Sequence, residues 1–409
     1  MNQVRNFLFL QGVCSPFFAR LADRLKAKGH RVFKVNFNAG DWVTWDNHPG
    51  WNYRGHASEL SDFLDAKYRK FEITDQILFG DCRPVHRPAV SQARGSGVRT
   101  HVFEEAYFRP FWVTLEREGV NAHSLLPRDP DWYREVGANL PDHSDREPFQ
   151  TSFKIRAIHD IYYHTAGIFN PFFYPGYRTH APVNAPVEYF GYAFRLPMLR
   201  FHERKNAAVV NDLVQNSTPF FLLPLQLDND SQIRDHSPFD DMADVMEFVM
   251  KSFAHHAPRN AKLVIKNHPL DMGLVNYPRL ITRLSKHLGL EGRVEYIETG
   301  NLDTLLRHTL GTVTVNSTVG GLSLGLNRPT IALSTPIYNL PGLTFQGDLD
   351  DFWQNRHTPD AELFRCFRNT VIHATQINGG FYCTKGIDLA VQNSLRILES
   401  ERSPLQELL

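Results

Sequence analysis

No stretch of this 409-residue chain reaches the ~18 consecutive apolar residues that a bilayer crossing requires. Any membrane contact is therefore expected to be peripheral. Cysteine is scarce: Cys14, Cys82, Cys366 and Cys383 stand far apart, and none forms a C-x-x-C pair. That excludes the usual zinc-ribbon and disulfide frameworks and fits a reduced, cytoplasmic setting. Net charge is lacking as well, with 44 basic against 44 acidic residues, so no overall field favours nucleic acid. There is no G-x-G-x-x-G fingerprint, which argues against nicotinamide chemistry. No internal repeat or low-complexity segment is visible. No signal peptide is expected, because Met1–Asn6 leads straight into the short apolar run Phe7–Leu10.

What is present is a soluble globular composition, 42% hydrophobic and 22% charged. The length exceeds one ordinary core and predicts two domains. Thirty Phe and 14 Tyr raise the aromatic content. Extra core aromatics account for that most simply, and sugar- or lipid-facing clefts are the alternative.

The chain opens with a β-loop-α-β unit: strand Phe7–Leu10, helix Phe17–Lys28 closed by Gly29, and strand Arg31–Phe37. Such a unit starts a Rossmann-like half. Further strands are predicted at Gln76–Phe79 and Val98–Phe103. From Asn121 to about Glu188 the pattern is irregular, rich in Pro, Asp and aromatics, and reads as excursions and helices bridging the domains. The basic-aromatic stretch Arg195–Lys205 reads as a solvated helix or a lipid contact. From Pro219 a second βα series follows: strands near Phe220–Gln226, Lys262–Lys266, Arg293–Tyr296, Gly311–Val315 and Thr330–Leu333, with helices between them. Leu363–Leu398 reads as a helical tail around Gly379-Gly380. The expected division is 1–205, 206–385 and a C-terminal helical tail, 386–409, packing back on the first domain.

Candidate site residues cluster where strands end, the edge at which open α/β sheets bind ligands. In the second half, Lys266-Asn267-His268-Pro269 ends one strand and Asn316-Ser317-Thr318 caps a helix beginning with Gly320-Gly321. A cation beside a helix N-terminus suits a phosphate, although an ordinary capped helix has the same residues. Gln226, at another strand end, can read a base or sugar edge. Asp228 and Asp230 form an Asp-x-Asp that suits a turn better than a metal, and no metal site is expected. In the first half, Gln11, Asn38, Asp41, Asp81, Arg83 and His86 follow strands, and Glu104-Glu105 ends one with Arg109 four residues on. A strand-end carboxylate with a nearby guanidinium can supply a nucleophile or base and its counter-ion. Paired surface glutamates are the plain alternative.

Several runs carry a resemblance: Asn36-Phe37-Asn38-Ala39-Gly40-Asp41-Trp42, Gly80-Asp81-Cys82-Arg83-Pro84-Val85-His86, Phe103-Glu104-Glu105-Ala106-Tyr107-Phe108-Arg109-Pro110, Asn267-His268-Pro269 and Asn316-Ser317-Thr318-Val319-Gly320. With these the chain resembles bacterial capsule polysaccharide synthesis proteins of the Kps-S type, transferases of β-linked Kdo (3-deoxy-D-manno-oct-2-ulosonic acid). The resemblance implies an α/β, GT-B-like fold, two Rossmann-like domains facing across a cleft. It implies retaining transfer of Kdo from CMP-Kdo to phosphatidylglycerol or its lyso form, with no cofactor or metal. It also implies a place at the inner membrane surface beside other capsule assembly proteins, including a Kdo linker-extending transferase, and no nucleic acid.

In related linker-extending enzymes a Glu-Asp-Gly-Phe-x-Arg run carries the proposed nucleophile. The corresponding run here is Glu104-Glu105-Ala106-Tyr107-Phe108-Arg109, so the Asp becomes Glu105 and the Gly becomes Ala106. The expected catalytic residues are thus Glu105, Asp81 and His86. Arg83 and Arg109 are expected to hold the sugar carboxylate, and Gln11, Asn38, Asp41, Gln226, Lys266, His268, Asn316, Ser317 and Thr318 to bind the rest of the substrates. The same fold using another nucleotide sugar, or a non-catalytic capsule export or scaffold protein, are the competing readings.

Overall fold

A computed structural model describes residues 4–46, 48–143, 146–150, 152–179, 185–227, 233 and 237–409, with the backbone alone at 185–190, 192–194 and 196. Asp228 and Asp230 lie outside the described residues. The chain is α/β and forms two compact units: Met1–Pro127 with Asn139–His180 and Arg368–Leu409, and Arg128–Ala138 with Ala181–Phe367. Each is Rossmann-like, the pair of units expected of a GT-B-like chain.

In the first unit, β1 (Asn6–Phe9), β2 (Arg31–Asn36), β3 (Trp51–Asn52), β4 (Asp75–Phe79) and β5 (Arg99–Glu105) run parallel. β6 (Trp112–Arg117) pairs antiparallel with β5, and with β12 (Gln376–Asn378) at the edge the sheet order is β12-β6-β5-β4-β1-β2-β3. β1 is buried on both faces because its side chains alternate between two cores. Phe7 and Phe9 meet Phe17 and Leu21 of α1 (Phe17–Ala27) on one side. Leu8 and Leu10 meet the other core with Leu60 and Leu64 of α3 (Leu60–Phe71) and Ala89 of α4 (His86–Gly95). Burying one such Phe or Leu side chain contributes about 1.5–3 kcal/mol. The short α2 (Ala39–Thr44) leaves the end of β2.

The second unit takes in most of α5 (Pro130–Asn139). The segment 121–188, irregular by sequence, also holds α6 (Phe153–Gly167) and α7 (Asn170–Phe173), both in the first unit. The expected boundary at 205 is corrected by α8 (Ala185–Gln215), which runs through it. Val210 and Leu213 of α8 pack on Phe220, Leu222 and Val264, so this helix belongs to the second core.

The second sheet is parallel throughout: β7 (Phe220–Pro224), β8 (Lys262–Lys266), β9 (Val294–Ile297), β10 (Gly311–Thr314) and β11 (Thr330–Ala332), in the order β11-β10-β7-β8-β9. α9 (Met242–His256) and α10 (Tyr277–Leu288) cover one face through Val249, Phe253 and Ile281. α11 (Leu302–His308) lies on the other through Leu305 and Leu306. α12 (Thr318–Gly325) follows β10 directly, and α13 (Leu349–Asn355) buries Phe352 and Trp353 in the first of these cores.

The C-terminal segment is not the continuous helical tail of the sequence reading, and the boundary falls at 367/368 rather than 385. α14 (Ala361–Thr375) ends in a strand, β12 (Gln376–Asn378), which pairs antiparallel with β6 of the first unit. Three residues are too few to show strand periodicity, and only the ladder with β6 defines them. α15 (Thr384–Glu399) then buries Ile387, Val391 and Leu398 in the core under Phe7 and Phe17. Arg5 and Arg117 donate to the carbonyls of Leu398 (2.8 Å) and Ser400 (2.8 Å), holding the last turn before α16 (Pro404–Leu408).

Candidate functional site

β1, β2, β4 and β5 are parallel, so their C-terminal ends share one edge of the first sheet. Gln11, Asn38 and Asp41 meet there and are all buried. Asn38 caps α2, its Oδ1 accepting the Asp41 N–H at 2.7 Å. Asp41 Oδ2 accepts the Phe37 N–H at 3.0 Å, which turns the chain sharply from strand into helix. Tyr163 of α6 donates its hydroxyl to Asp41 Oδ1 at 2.9 Å and accepts from Asn38 Nδ2 at 2.8 Å. Gln11 Nε2 donates to the hydroxyls of Tyr163 (3.2 Å) and Tyr177 (3.3 Å). Gly40 permits this, because a Cβ there would lie 2.7 Å from the Tyr163 ring. Burial, then the Asp41 charge, raises the Tyr163 hydroxyl well above the ordinary tyrosine value, so it is a protonated donor.

Lys34 supports this network from below. Its ammonium donates to the carbonyls of Leu10 (2.7 Å) and Val35 (3.0 Å). Burial pulls its pKa down to about 8, against the attraction of Asp41.

Glu105, at the end of β5, meets two cations: Arg109 Nη2 at 3.6 Å from Oε2 and Arg156 Nη1 at 3.4 Å from Oε1. Arg156 projects from α6, and its guanidinium also stacks 4.9 Å over the Tyr382 ring. Arg83 donates to the Gly12 carbonyl at 2.9 Å and lies over the Phe79 ring. It is therefore held against the β1 loop.

Asp81 and His86 take different places. Asp81 accepts the Val120 N–H at 3.3 Å and pairs with His123 Nδ1 at 2.9 Å. His86 is fully buried at the start of α4 and donates Nδ1–H to the Gly80 carbonyl at 2.5 Å. A carbonyl can only accept, so this bond fixes the proton on Nδ1. His86 thus holds the Gly80–Asp81 turn. Nearby, Glu116 of β6 is buried and accepts from Tyr107 (2.6 Å) and from Ser124. Burial lifts its carboxyl to about 7.

Among the described residues two groups could hold a metal ion, Cys14 with Asp160 and His164, and Asp81 with Cys82 and His123, their donor atoms within 4.8 Å of one another. Burial, then Asp160, pushes the Cys14 thiol far up, which opposes the thiolate a metal needs. In the second group Asp81 and His123 already satisfy each other.

At the corresponding edge of the second sheet, Gln226 and Asn316 exchange two hydrogen bonds. Gln226 Nε2 donates to Asn316 Oδ1 at 2.9 Å, and Asn316 N–H to Gln226 Oε1 at 3.2 Å. Ser317, not Asn316, caps α12, accepting the Val319 N–H at 3.2 Å. Thr318 is the exposed first residue of the helix. Gly320 must be small, since a Cβ would collide with the Tyr338 hydroxyl, and that hydroxyl donates to the Ser317 carbonyl at 2.6 Å. His268 Nδ1 accepts the Leu270 N–H at 3.1 Å, which leaves Nε2 to carry the proton in the neutral ring. Lys266 is buried at the end of β8, and its ammonium has one long contact, 3.5 Å to the Asn267 carbonyl. Among the described residues no carboxylate pairs with it, and burial lowers its pKa. Arg195, read from sequence as a solvent or lipid contact, is engaged with Asp271 (3.2 Å) and Glu298 (2.9 Å).

The sequence reading missed Lys34, His123, Arg156, Tyr163, Tyr177 and Tyr382. Lys34 sits inside a strand and has no motif. α6 was hard to see because its large apolar residues face outward, so its pattern does not mark an inward face.

A family model described as "Capsule polysaccharide biosynthesis protein" matches residues 74–382. The capsule polysaccharide export protein KpsS of Escherichia coli is 37% identical over 382 residues, 92% of this chain and 97% of the relative. The capsule polysaccharide modification protein LipB of Neisseria meningitidis serogroup B is 37% identical over 393 residues, 93% of each chain. Among solved structures, the β-Kdo 2,7 transferase KpsC of Thermosulfurimonas dismutans aligns with TM-score 0.44 and 13% identity, covering 96% of this chain and 100% of that one. With family motifs at both sheet edges and this identity along nearly its whole length, the chain belongs to the capsule polysaccharide biosynthesis proteins.

Proposed function

We propose that the chain is a retaining glycosyltransferase that moves Kdo from CMP-Kdo to a phosphatidylglycerol-type lipid, starting the linker of a capsular polysaccharide. The observation that carries the donor half is Lys266, a buried cation with no carboxylate partner among the described residues, at the same sheet edge as the Ser317 helix cap. A buried unpaired charge is costly, and an anionic phosphate offsets that cost. The Gln226–Asn316 pair suits the neutral edge of a base or ribose.

The first unit supplies the chemistry. Glu105, flanked by Arg109 and Arg156, attacks the anomeric carbon as its bond to the CMP phosphate breaks. CMP leaves as a phosphate monoester and needs no proton. The sugar is then an ester of Glu105, and the lipid hydroxyl displaces it, restoring the carboxylate. Two displacements retain the configuration. The hydroxyl proton passes to the Asp81–His123 pair, in which the carboxylate orients the imidazole. His86 holds the Gly80–Asp81 turn through its bond to the Gly80 carbonyl. Arg83 and Arg109 suit the sugar carboxylate, and the Gln11–Asn38–Asp41–Tyr163 network suits sugar hydroxyls.

The test is incubation of the purified chain with CMP-Kdo and a fluorescent phosphatidylglycerol analogue. Transfer is expected with wild type and lost in Glu105→Gln. Full activity in Glu105→Gln would sink the nucleophile assignment, and turnover of a UDP-sugar without CMP-Kdo turnover would replace the donor.

A further inference from the structure

Helix α6 has two faces with different business. Toward the first sheet edge it sends Arg156 to Glu105 and Tyr163 to Asp41 and Asn38. The segment is tied to the first unit on that side: Asn170 Oδ1 accepts the Ala39 N–H at 2.8 Å, and the Tyr174 hydroxyl donates to Asn52 Oδ1 at 2.8 Å. On the other side α6 and α7 present large apolar side chains to solvent. Phe172 is 81% exposed, Ile158 and Ile168 are each 65% exposed, and Tyr162, Phe169 and Phe173 are more than half exposed. Trp42 of α2, the helix packed against α6, is half exposed as well. Contiguous apolar exposure of this kind marks a docking surface.

Charge selects the occupant. Between Ser152 and Thr179 the sequence has Lys154, Arg156 and Arg178 against one acid, Asp160. Lys154 and Arg178 are exposed, while Asp160 lies with Cys14 and His164 on the inner side. The outer face is therefore apolar with a basic rim, and aromatic residues form a large part of it. That combination matches the interface of an anionic bilayer, where aliphatic and aromatic side chains enter the headgroup boundary and Lys and Arg meet lipid phosphates.

We propose that the outer face of α6–α7 docks the protein on an anionic phospholipid bilayer. This rests on the transferase reading for its purpose. One helix then carries the membrane contact on its outer face, and on its inner face Arg156 of the Glu105 site and Tyr163 of the Asp41–Asn38 network. A lipid headgroup reaches that site from the surface on which the protein sits.

The test is flotation of the full chain with phosphatidylcholine vesicles and with vesicles that also contain phosphatidylglycerol. No sugar donor is present, so the result is independent of whether the transferase reading holds. Wild type is expected to float with the phosphatidylglycerol vesicles, less so as salt is raised. The double variant Ile158→Asp, Phe172→Asp is expected to lose at least about tenfold in vesicle-bound fraction. Both side chains are exposed, so its thermal unfolding should match wild type. Unchanged flotation of that variant overturns the proposal. So does a wild type that fails to float, and if light scattering then shows a dimer that the variant splits, the face belongs to a second copy of the chain.

Discussion

Arg156 Nη1 stands 3.4 Å from Glu105 Oε1, bringing a cation from helix α6 to an acid at the end of strand β5. Arg109 faces the other carboxylate oxygen at 3.6 Å. Glu105→Gln is expected to lower transfer by about a thousandfold or more, as removal of a nucleophile does. Arg156→Ala is expected to cost about tenfold to a hundredfold and Arg156→Lys less, since Lys keeps the charge but not the planar fork. Product formation per unit time measures both. Melting temperatures near wild type would show that the loss is chemical and not structural.

Gly40 and Tyr163 test how α6 is seated. Gly40→Ala pushes a methyl to within 2.7 Å of the ring, and overpacking of this kind costs about 1–3 kcal/mol. Tyr163→Phe leaves Asp41 and Asn38 without their shared hydroxyl, a loss of about 1–3 kcal/mol for buried partners. Urea unfolding gives both values. Neither variant should alter CMP binding, because every residue assigned to the nucleotide lies in the second unit.

For the donor half, Lys266→Met should weaken CMP binding at least about tenfold by calorimetry, or about 1.4 kcal/mol. The same substitution removes a buried charge whose pKa burial already lowers, so the free protein should be as stable as wild type or more so. Ser317→Ala should cost about 1 kcal/mol through the lost cap and weaken CMP binding as well. CMP affinity unchanged in both variants would leave the donor site unassigned.

Glu116 gives a pH prediction. Its carboxyl is lifted from 4.5 to about 7, chiefly by burial. The folded protein therefore holds a proton there that the unfolded chain has released. Stability from this group is present below pH 4.5 and is lost as pH rises to 7. The difference amounts to about 3 kcal/mol, the worth of the shift in free energy. Glu116→Gln keeps the shape without the charge. Relative to wild type it should gain stability between pH 5 and pH 8, to about that extent, in urea melts. A difference between the two proteins that does not change with pH would mean the carboxyl is ionised throughout.

The sequence by itself determined most of both sheets and the positions of Gln11, Asn38, Asp41, Glu105, Lys266 and Ser317. Strand burial and helix caps are written locally: Phe7–Leu10 is apolar on both faces, and Asn38 and Ser317 each precede a helix they cap. Parallel strands then bring their ends to one edge without further instruction. Only the tertiary structure decided the rest. β12 is a strand because β6 pairs with it, not because three residues prefer to be extended. His86, read from sequence as a strand-end candidate, is buried with its ring bonded to the Gly80 carbonyl, a contact that only the folded turn makes. Arg156 and Tyr163 entered the site through a helix whose apolar residues point outward, so its periodicity gave no sign of which face turns in. Such contacts join residues far apart in the chain, and their free energy exists only once the sheet edge and the helix have met.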